Sequence, residues 1–194
     1  MTLLKSTYLT ENDLRDYGFR SLGKNVRISS DARIYGQQNI AIGDDVRIDD
    51  FAILSASNGF IEIGRHVFIA RNCHLSGTMG LRIHDFVTLA GNVTIYSASD
   101  DYSGESLTGQ AIPAQYTKLS GGLVEIHKHV ILGTGTTVIG PATLHEGSGT
   151  GAMSLVVRDL EAWWLYAGTP ARQLREKSRN ALQHEQSFLK EYRP

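Results

Sequence analysis

Along most of this chain an aliphatic residue returns every six positions: Leu22, Ile28, Ile34 and Ile40, then Ile42, Ile48 and Leu54, then Ile63, Ile69, Leu75 and Leu81. A period of six matches neither the turn of a helix nor the alternation of a simple strand. Four residues after most of these aliphatics stands a small or β-branched residue, at Val26, Ala32, Val46, Ala52, Val67, Cys73, Val87 and Val93. Two of every six side chains therefore point inward.

A longer phrase rides on this clock: AIGDDVRI from Ala41, EIGRHVFI from Glu62, RIHDFVTL from Arg82 and EIHKHVIL from Glu125. The first three copies start about twenty residues apart, which is three hexads plus a short insertion, or one triangular coil. So small a unit cannot bury its own apolar face, and neighbouring units must stack to hide it. The predicted fold is all-β, a parallel β-helix of hexapeptide repeats over residues 22–171. At about 4.8 Å per coil, six or seven coils form a single prism roughly 30 Å long. The step from Arg82 to Glu125 is about twice the others because residues 97–122 are extra.

Three segments fall outside the repeats. In residues 1–21, Thr10 followed by Asp13 predicts a capped start to a short helix. Residues 97–122 combine turn formers with Tyr102, Ile112 and Tyr116, too apolar for a mere linker and too irregular for a coil. A loop of this length inside a compact domain is usually functional. Residues 172–194 read as a charged amphipathic helix, with Leu174, Leu182, Phe188 and Leu189 as its buried stripe against the prism or a neighbouring subunit.

A formal charge of −1 supplies no electrostatic footprint for nucleic acid. No apolar run approaches the roughly 20 residues that cross a bilayer. The amino terminus lacks the basic start, apolar centre and small-residue cleavage site of a signal peptide, so a cytoplasmic protein is expected. The single cysteine, Cys73, excludes an internal disulfide framework and sits at an inward position as core filler. His127 and His129 alternate on one strand and His84 lies about two coils earlier, which leaves room for a fortuitous divalent site. No histidine has a tight partner and third ligand nearby in sequence, however, and no metal is expected to be required. His84, His127 and His145 stand where other hexads carry glycine, which reads as corner positions facing solvent.

The hexads, the single extruded loop, and the closing passage from Gly151 to Leu160 with Tyr166-Ala167-Gly168-Thr169-Pro170-Ala171-Arg172 resemble the hexapeptide-repeat acetyltransferases. The similarity covers about residues 22–178 and is greatest to the galactoside, maltose and O-antigen sugar acetyltransferase branch. Hexads alone are specific for the fold and weak for the reaction; the AGTPAR passage is much more specific. The resemblance implies a left-handed helix, a homotrimer with active sites in the clefts between prisms, and acetyl-CoA stretched along the coils. It places Gly133, Thr134 and Ala152 against the pantetheine, or else as ordinary corner residues. It places Arg158, Arg172 and Arg175 near the nucleotide phosphates, where the guanidinium fork suits them, with solvated surface as the competing reading for Arg175. Trp163 and Trp164 either cap the last coil or stack near the nucleotide.

In the galactoside-type enzymes a histidine at the loop root is the general base that an alcohol acceptor needs. Aligning residues 93–100 on that pattern puts Asp100 at this position. A carboxylate, ordinarily titrating near pH 4, is a weak base for an alcohol, whereas a deprotonated amine attacks a thioester unaided. The departure therefore favours an amino-sugar acceptor, with Asp100 or the adjacent Asp101 holding its ammonium or accepting its proton. His74, one coil before Thr94, is the alternative base or a surface histidine. Asn72 orients the nucleophile or the thioester oxygen, or merely forms a corner. The expected function is acetyl transfer from acetyl-CoA to the amine of a nucleotide-linked amino-deoxy sugar, with GDP-perosamine N-acetyltransferases as the comparison, for O-antigen or capsule assembly. O-acetylation of a galactoside or polysaccharide sugar is the alternative, and a non-catalytic or metal-dependent scaffold the reading of another class.

Overall fold

In the computed structural model, which describes residues 7–192, the chain winds into a three-faced parallel β-solenoid of about seven turns, the left-handed β-helix expected. The first face stacks Ser21–Leu22, Ile40–Ile42, Ile61–Ile63, Leu81–Ile83, Val124–Ile126 and Ala142–Leu144. The second runs from Arg27–Ile28 through Arg47–Ile48, Phe68–Ile69, Thr88–Leu89, Ile131–Leu132 and Gly149–Thr150 to Trp164–Ala167. The third stacks Arg33–Tyr35, Ile53–Ser55, His74–Ser76, Thr94–Tyr96, Thr137–Ile139 and Leu155–Val156. Residues 1–6, part of the stretch read as lacking a leader, and 193–194 lie outside the described residues.

The six-residue clock is the core. Ile48, Leu54, Ile61, Ile69, Leu75, Leu81, Leu89 and Ile95 have no exposed surface, and Val46, Ala52, Val67, Cys73, Val87 and Val93 fill the gaps between them with at most 1% exposure. Burial pushes the Cys73 thiol up to about 11, so it remains protonated and serves as filler. Where the clock ends, at Leu22, Val26 and Ile34 of the first coil, the same positions are only partly buried.

Helix α1, Glu11–Asp16, starts at the capping box expected: the Asp13 amide donates to Thr10 Oγ1 and the Thr10 amide to the Asp13 carboxylate. It buries Leu14. At the other end the expectation of a helix from 172 is corrected. Arg172–Glu176 is a strand that pairs antiparallel with Trp164–Ala167 and ends the second face. That strand leaves Leu174 61% exposed, and the helix that follows has no buried residue within the chain, with Phe188 38% and Leu189 44% exposed, so the expected stripe of Leu174, Leu182, Phe188 and Leu189 is corrected too. Helix α2, Asn180–Glu191, begins later and docks on the prism corner between the first and second faces. Lys128 Nζ and His129 Nε2 meet the Glu185 carboxylate at 2.6 and 2.8 Å. Phe188 packs edge-on against His66 and Phe86, and the Tyr192 hydroxyl donates to Asp45 at 2.6 Å. The corner beneath is a ladder of left-handed residues, Asp45, His66, Phe86 and His129, with Trp163 covering its last step. Trp163 is 6% exposed, as the cap reading expects.

Candidate functional site

The loop leaves the prism at Ser97 and re-enters at Gly122, whose amide donates to the Ser97 carbonyl at 2.8 Å. Ser97 is fully buried; its hydroxyl donates to the Ser76 carbonyl and accepts from the Met79 amide at 2.8 Å. Between these ends Ala98–Asp100 pairs antiparallel with Leu119–Gly121, so the loop is a hairpin standing out from the edge of the third face. The coil before it stacks directly on the coil after it, Leu81 opposite Val124 and Thr94 opposite Thr137. The excursion costs the prism no register.

Hairpin and wall enclose a cleft of about 780 Å³. Asn58, Ser76, Thr78, Tyr96 and Ile139 come from the wall, and Ser99, Asp100, Tyr102, Gln110 and Ile112 from the loop. Asp100 lines this cleft and accepts from the Gly109 amide at 3.3 Å. Asp101 is occupied otherwise: it accepts from the Ser103 amide at 2.9 Å and the Ser106 hydroxyl at 3.1 Å. The Ser103 bond holds its carboxyl below the usual carboxylate range. Of the two neighbouring acids, only Asp100 lines the cleft.

His74 lies on the outer side of the third face, in register with Thr94, with its Nδ1 3.4 Å from the hydroxyl of Tyr96. It reaches the cleft through that tyrosine. Asn72 stands at the corner between the second and third faces with φ 58°, a conformation that asparagine tolerates better than most residues. Gly133, Thr134 and Ala152 lie on the same corner in later coils, where the Met153 amide donates to the Thr134 carbonyl at 2.8 Å. A Cβ on Gly133 would come within 2.7 Å of the Gly151 backbone, so coil spacing alone requires glycine there. Arg172 and Arg175 are exposed on the closing strand and Arg158 is exposed just after Leu155–Val156. The structure thus brings Asp100 and Tyr96 together at the cleft, while Asn72, Gly133, Thr134 and Ala152 share a separate corner.

The histidine reading needs correction. His84 and His127 are one coil apart, because Ile83 is opposite Ile126. Their rings stack at 4.9 Å with 6° between planes, and His145 stacks on His127 at 5.6 Å. Instead of projecting separately into solvent they form a ladder. His84 Nε2 lies 3.0 Å from Glu125 Oε1, which Arg82 approaches at 3.6 Å. The bond from His84, against burial, keeps the Glu125 carboxyl below its usual value, and burial with the neighbouring His84 depresses the pKa of His127. His84, Glu125 and His127 are brought within ligating reach of one another, a convergence that chain spacing concealed.

Sequence reasoning also missed the wall residues Asn58, Ser76, Thr78 and Tyr96. A signal existed: Ser76 and Tyr96 each follow an inward aliphatic of the third face, Leu75 and Ile95, on the edge from which the loop departs.

No family model matches the chain. It is 41% identical over 181 residues, 93% of its length and 94% of the relative's, to a dTDP-4-amino-4,6-dideoxy-D-glucose acyltransferase of Escherichia coli. AntD, an N-acyltransferase from Bacillus cereus solved with dTDP and 3-hydroxybutyryl-CoA, superposes with a TM-score of 0.92 at 38% identity, covering 96% of this chain and 98% of that one. A serine variant of AntD, bound to dTDP-4-amino-4,6-dideoxyglucose and coenzyme A, gives 0.93 at 38% identity over 97% and 100%. A maltose O-acetyltransferase from Clostridium difficile shares the fold at 23% identity, with a TM-score of 0.58 over 87% and 75%. This chain therefore belongs to the hexapeptide-repeat sugar acyltransferases, in the branch of nucleotide-linked amino-sugar N-acyltransferases, and is an acyltransferase.

Proposed function

We propose that the protein transfers an acyl group from acyl-CoA to the 4-amine of a dTDP-linked 4-amino-4,6-dideoxyglucose, with Asp100 as the acceptor-side acid–base residue. The observation that carries this reading is the Asp100 carboxylate at the root of the hairpin, lining its cleft. Asp100 would hold the sugar's ammonium and take up its proton. The free amine attacks the thioester carbon; the C–N bond forms, the C–S bond breaks, and coenzyme A leaves as the thiol. Tyr96, backed by His74, supplies a hydroxyl beside the same cleft. The relatives' dTDP ligands favour this nucleotide over the GDP expected from sequence.

The donor would lie along the corner of Asn72, Gly133, Thr134 and Ala152, whose backbone groups suit the amides of pantetheine, with Arg158, Arg172 and Arg175 available for its phosphates. The acyl group is acetyl or a short hydroxyacyl. A homotrimer is part of the reading, because the hairpin exposes Tyr102 at 91% and Leu107 at 57%, apolar surface that a neighbouring prism would cover. Among the described residues no helix is long and apolar enough to cross a membrane. A nucleotide-activated sugar is a glycosyl donor, so glycosyl transfer into a surface polysaccharide is the reaction class that would consume the product.

The test is coenzyme A release with acetyl-CoA and 3-hydroxybutyryl-CoA against paired 4-amino and 4-hydroxy sugars, each linked to dTDP or GDP. Turnover confined to the dTDP amino sugar is expected; equal turnover of the hydroxy sugar would overturn the N-acyl assignment.

A further inference from the structure

The histidine ladder lies on the first face, and the acyl-transfer reading makes no use of it. We propose that His84, Glu125 and His127 form a binding site for a zinc-class divalent cation that staples together the two coils flanking the extruded loop.

The argument begins with topology. Residues 84 and 125 are far apart in sequence, but the hairpin that separates them adds no rise to the prism, so their coils are adjacent. Glu125 and His127 are two apart in a strand and its continuation, so their side chains emerge on the same side. His84 is in register with His127 from the coil before. Three donors therefore converge without any contribution from a mobile segment, and their ligand atoms all lie within 4.8 Å of one another.

The geometry is near what an ion requires. Ligands about 2.1 Å from a tetrahedral ion stand roughly 3.4 Å from each other. His84 Nε2 and Glu125 Oε1, at 3.0 Å, already fall inside that span. The partly exposed ring of His127 must turn on its side chain to close the rest. Two imidazoles and one carboxylate match zinc, cobalt or nickel rather than calcium or magnesium, which favour all-oxygen sets. The Arg82 guanidinium also faces Glu125, but its shorter bond, 2.7 Å, is to Glu62, so it can release Glu125 at 3.6 Å without losing its partner. With three protein ligands the fourth position is left to water.

An ion held here would tie the coil that launches the hairpin to the coil that receives it. Binding to the folded state alone raises stability by mass action.

The experiment uses the full-length protein stripped with EDTA and titrated calorimetrically with zinc chloride at neutral pH. One zinc per chain is expected, with affinity falling at least tenfold in His127→Gln and in Glu125→Gln and unchanged in His145→Gln. Cobalt should give the intense visible absorption of a four-coordinate ion in the wild type and lose it in His127→Gln. Zinc should raise the thermal midpoint of the wild type and leave that of the variants, each first checked for a cooperative melt, in place. Zinc bound equally by wild type and His127→Gln, or by neither, overturns the proposal.

Discussion

From Ile40 to Ile95 every residue of the six-residue clock is sealed from solvent to within a few per cent, whereas between residues 98 and 121 no side chain is more than partly buried. The prism is held by repetition: each coil presents the same aliphatics to the next, and stability accumulates as a sum of neighbour contacts. The hairpin is held by singular polar bonds, the Ser97 hydroxyl at its root, Asp100 to the Gly109 amide and Asp101 to its own turn. Few apolar contacts and many exposed backbone bonds put a segment at the low end of local stability. The difference teaches where adaptation can occur. On the proposed reading the prism holds the donor, while acceptor choice falls to a loop whose sequence the core does not constrain.

Breaking the prism should therefore act on stability. Leu75→Ala removes a fully buried side chain between two coils and should cost about 3 kcal/mol, lowering the melting midpoint by roughly 10 °C. Below that midpoint its acceptor KM should stay that of the wild type. A changed acceptor KM with an unchanged melt would mean that core and loop are not separable in the way described.

The strap formed by α2 sharpens the same contrast, since its charged anchor to the prism is one carboxylate, Glu185, set beside the ring contacts of Phe188 and the Tyr192 hydroxyl bond. Burial opposes ionisation of Glu185, but the bonds from Lys128 and His129 together outweigh it and hold the carboxyl below its usual value. A depressed folded pKa stabilises docking above the ordinary glutamate value of about 4.3, and that contribution is lost as pH falls through the folded value. Hydrogen-exchange protection of Asn180–Glu191 should thus persist at neutral pH and disappear on acidification before the prism melts. Glu185→Gln should reproduce the loss at neutral pH, at a cost of about 1.5 kcal/mol. Protection that survives until global melting would contradict the carboxylate anchor.

How much of this was legible follows from which residues repeat. Most inward residues from Ile40 to Ile95 announced themselves by spacing, Ala56 and Ile61 falling off the six-residue phase, and Thr10 with Asp13 announced α1. The error at Arg172–Glu176 arose because a charged segment with one aliphatic can be the exposed edge of a sheet as readily as a helix. His84 was assigned a coil too far from His127 because chain length in the hairpin was counted as rise along the prism. The corner ladder of His66, Phe86 and His129 was hidden for another reason: bulky residues rarely adopt positive φ, and here the fold overrides that preference. At the candidate site, Asp100 was put forward by aligning residues 93–100 on the family's pattern, and it lines the cleft. Ser76, Thr78 and Tyr96 were missed because an outward polar residue carries no periodic mark until the loop's point of departure is known.

The central claim is that the hairpin supplies the acceptor chemistry and the prism corner the donor site. It is tested most directly by measuring, for Asp100→Ala against wild type, both the steady-state rate with dTDP-4-amino-4,6-dideoxyglucose and the equilibrium affinity for acyl-CoA. The account predicts a loss of about 100-fold in kcat/KM for the amino sugar, the scale of one acid–base group, with acyl-CoA affinity unchanged. A variant that turns over the amino sugar at the wild-type rate, or one that loses acyl-CoA binding along with activity, would contradict it.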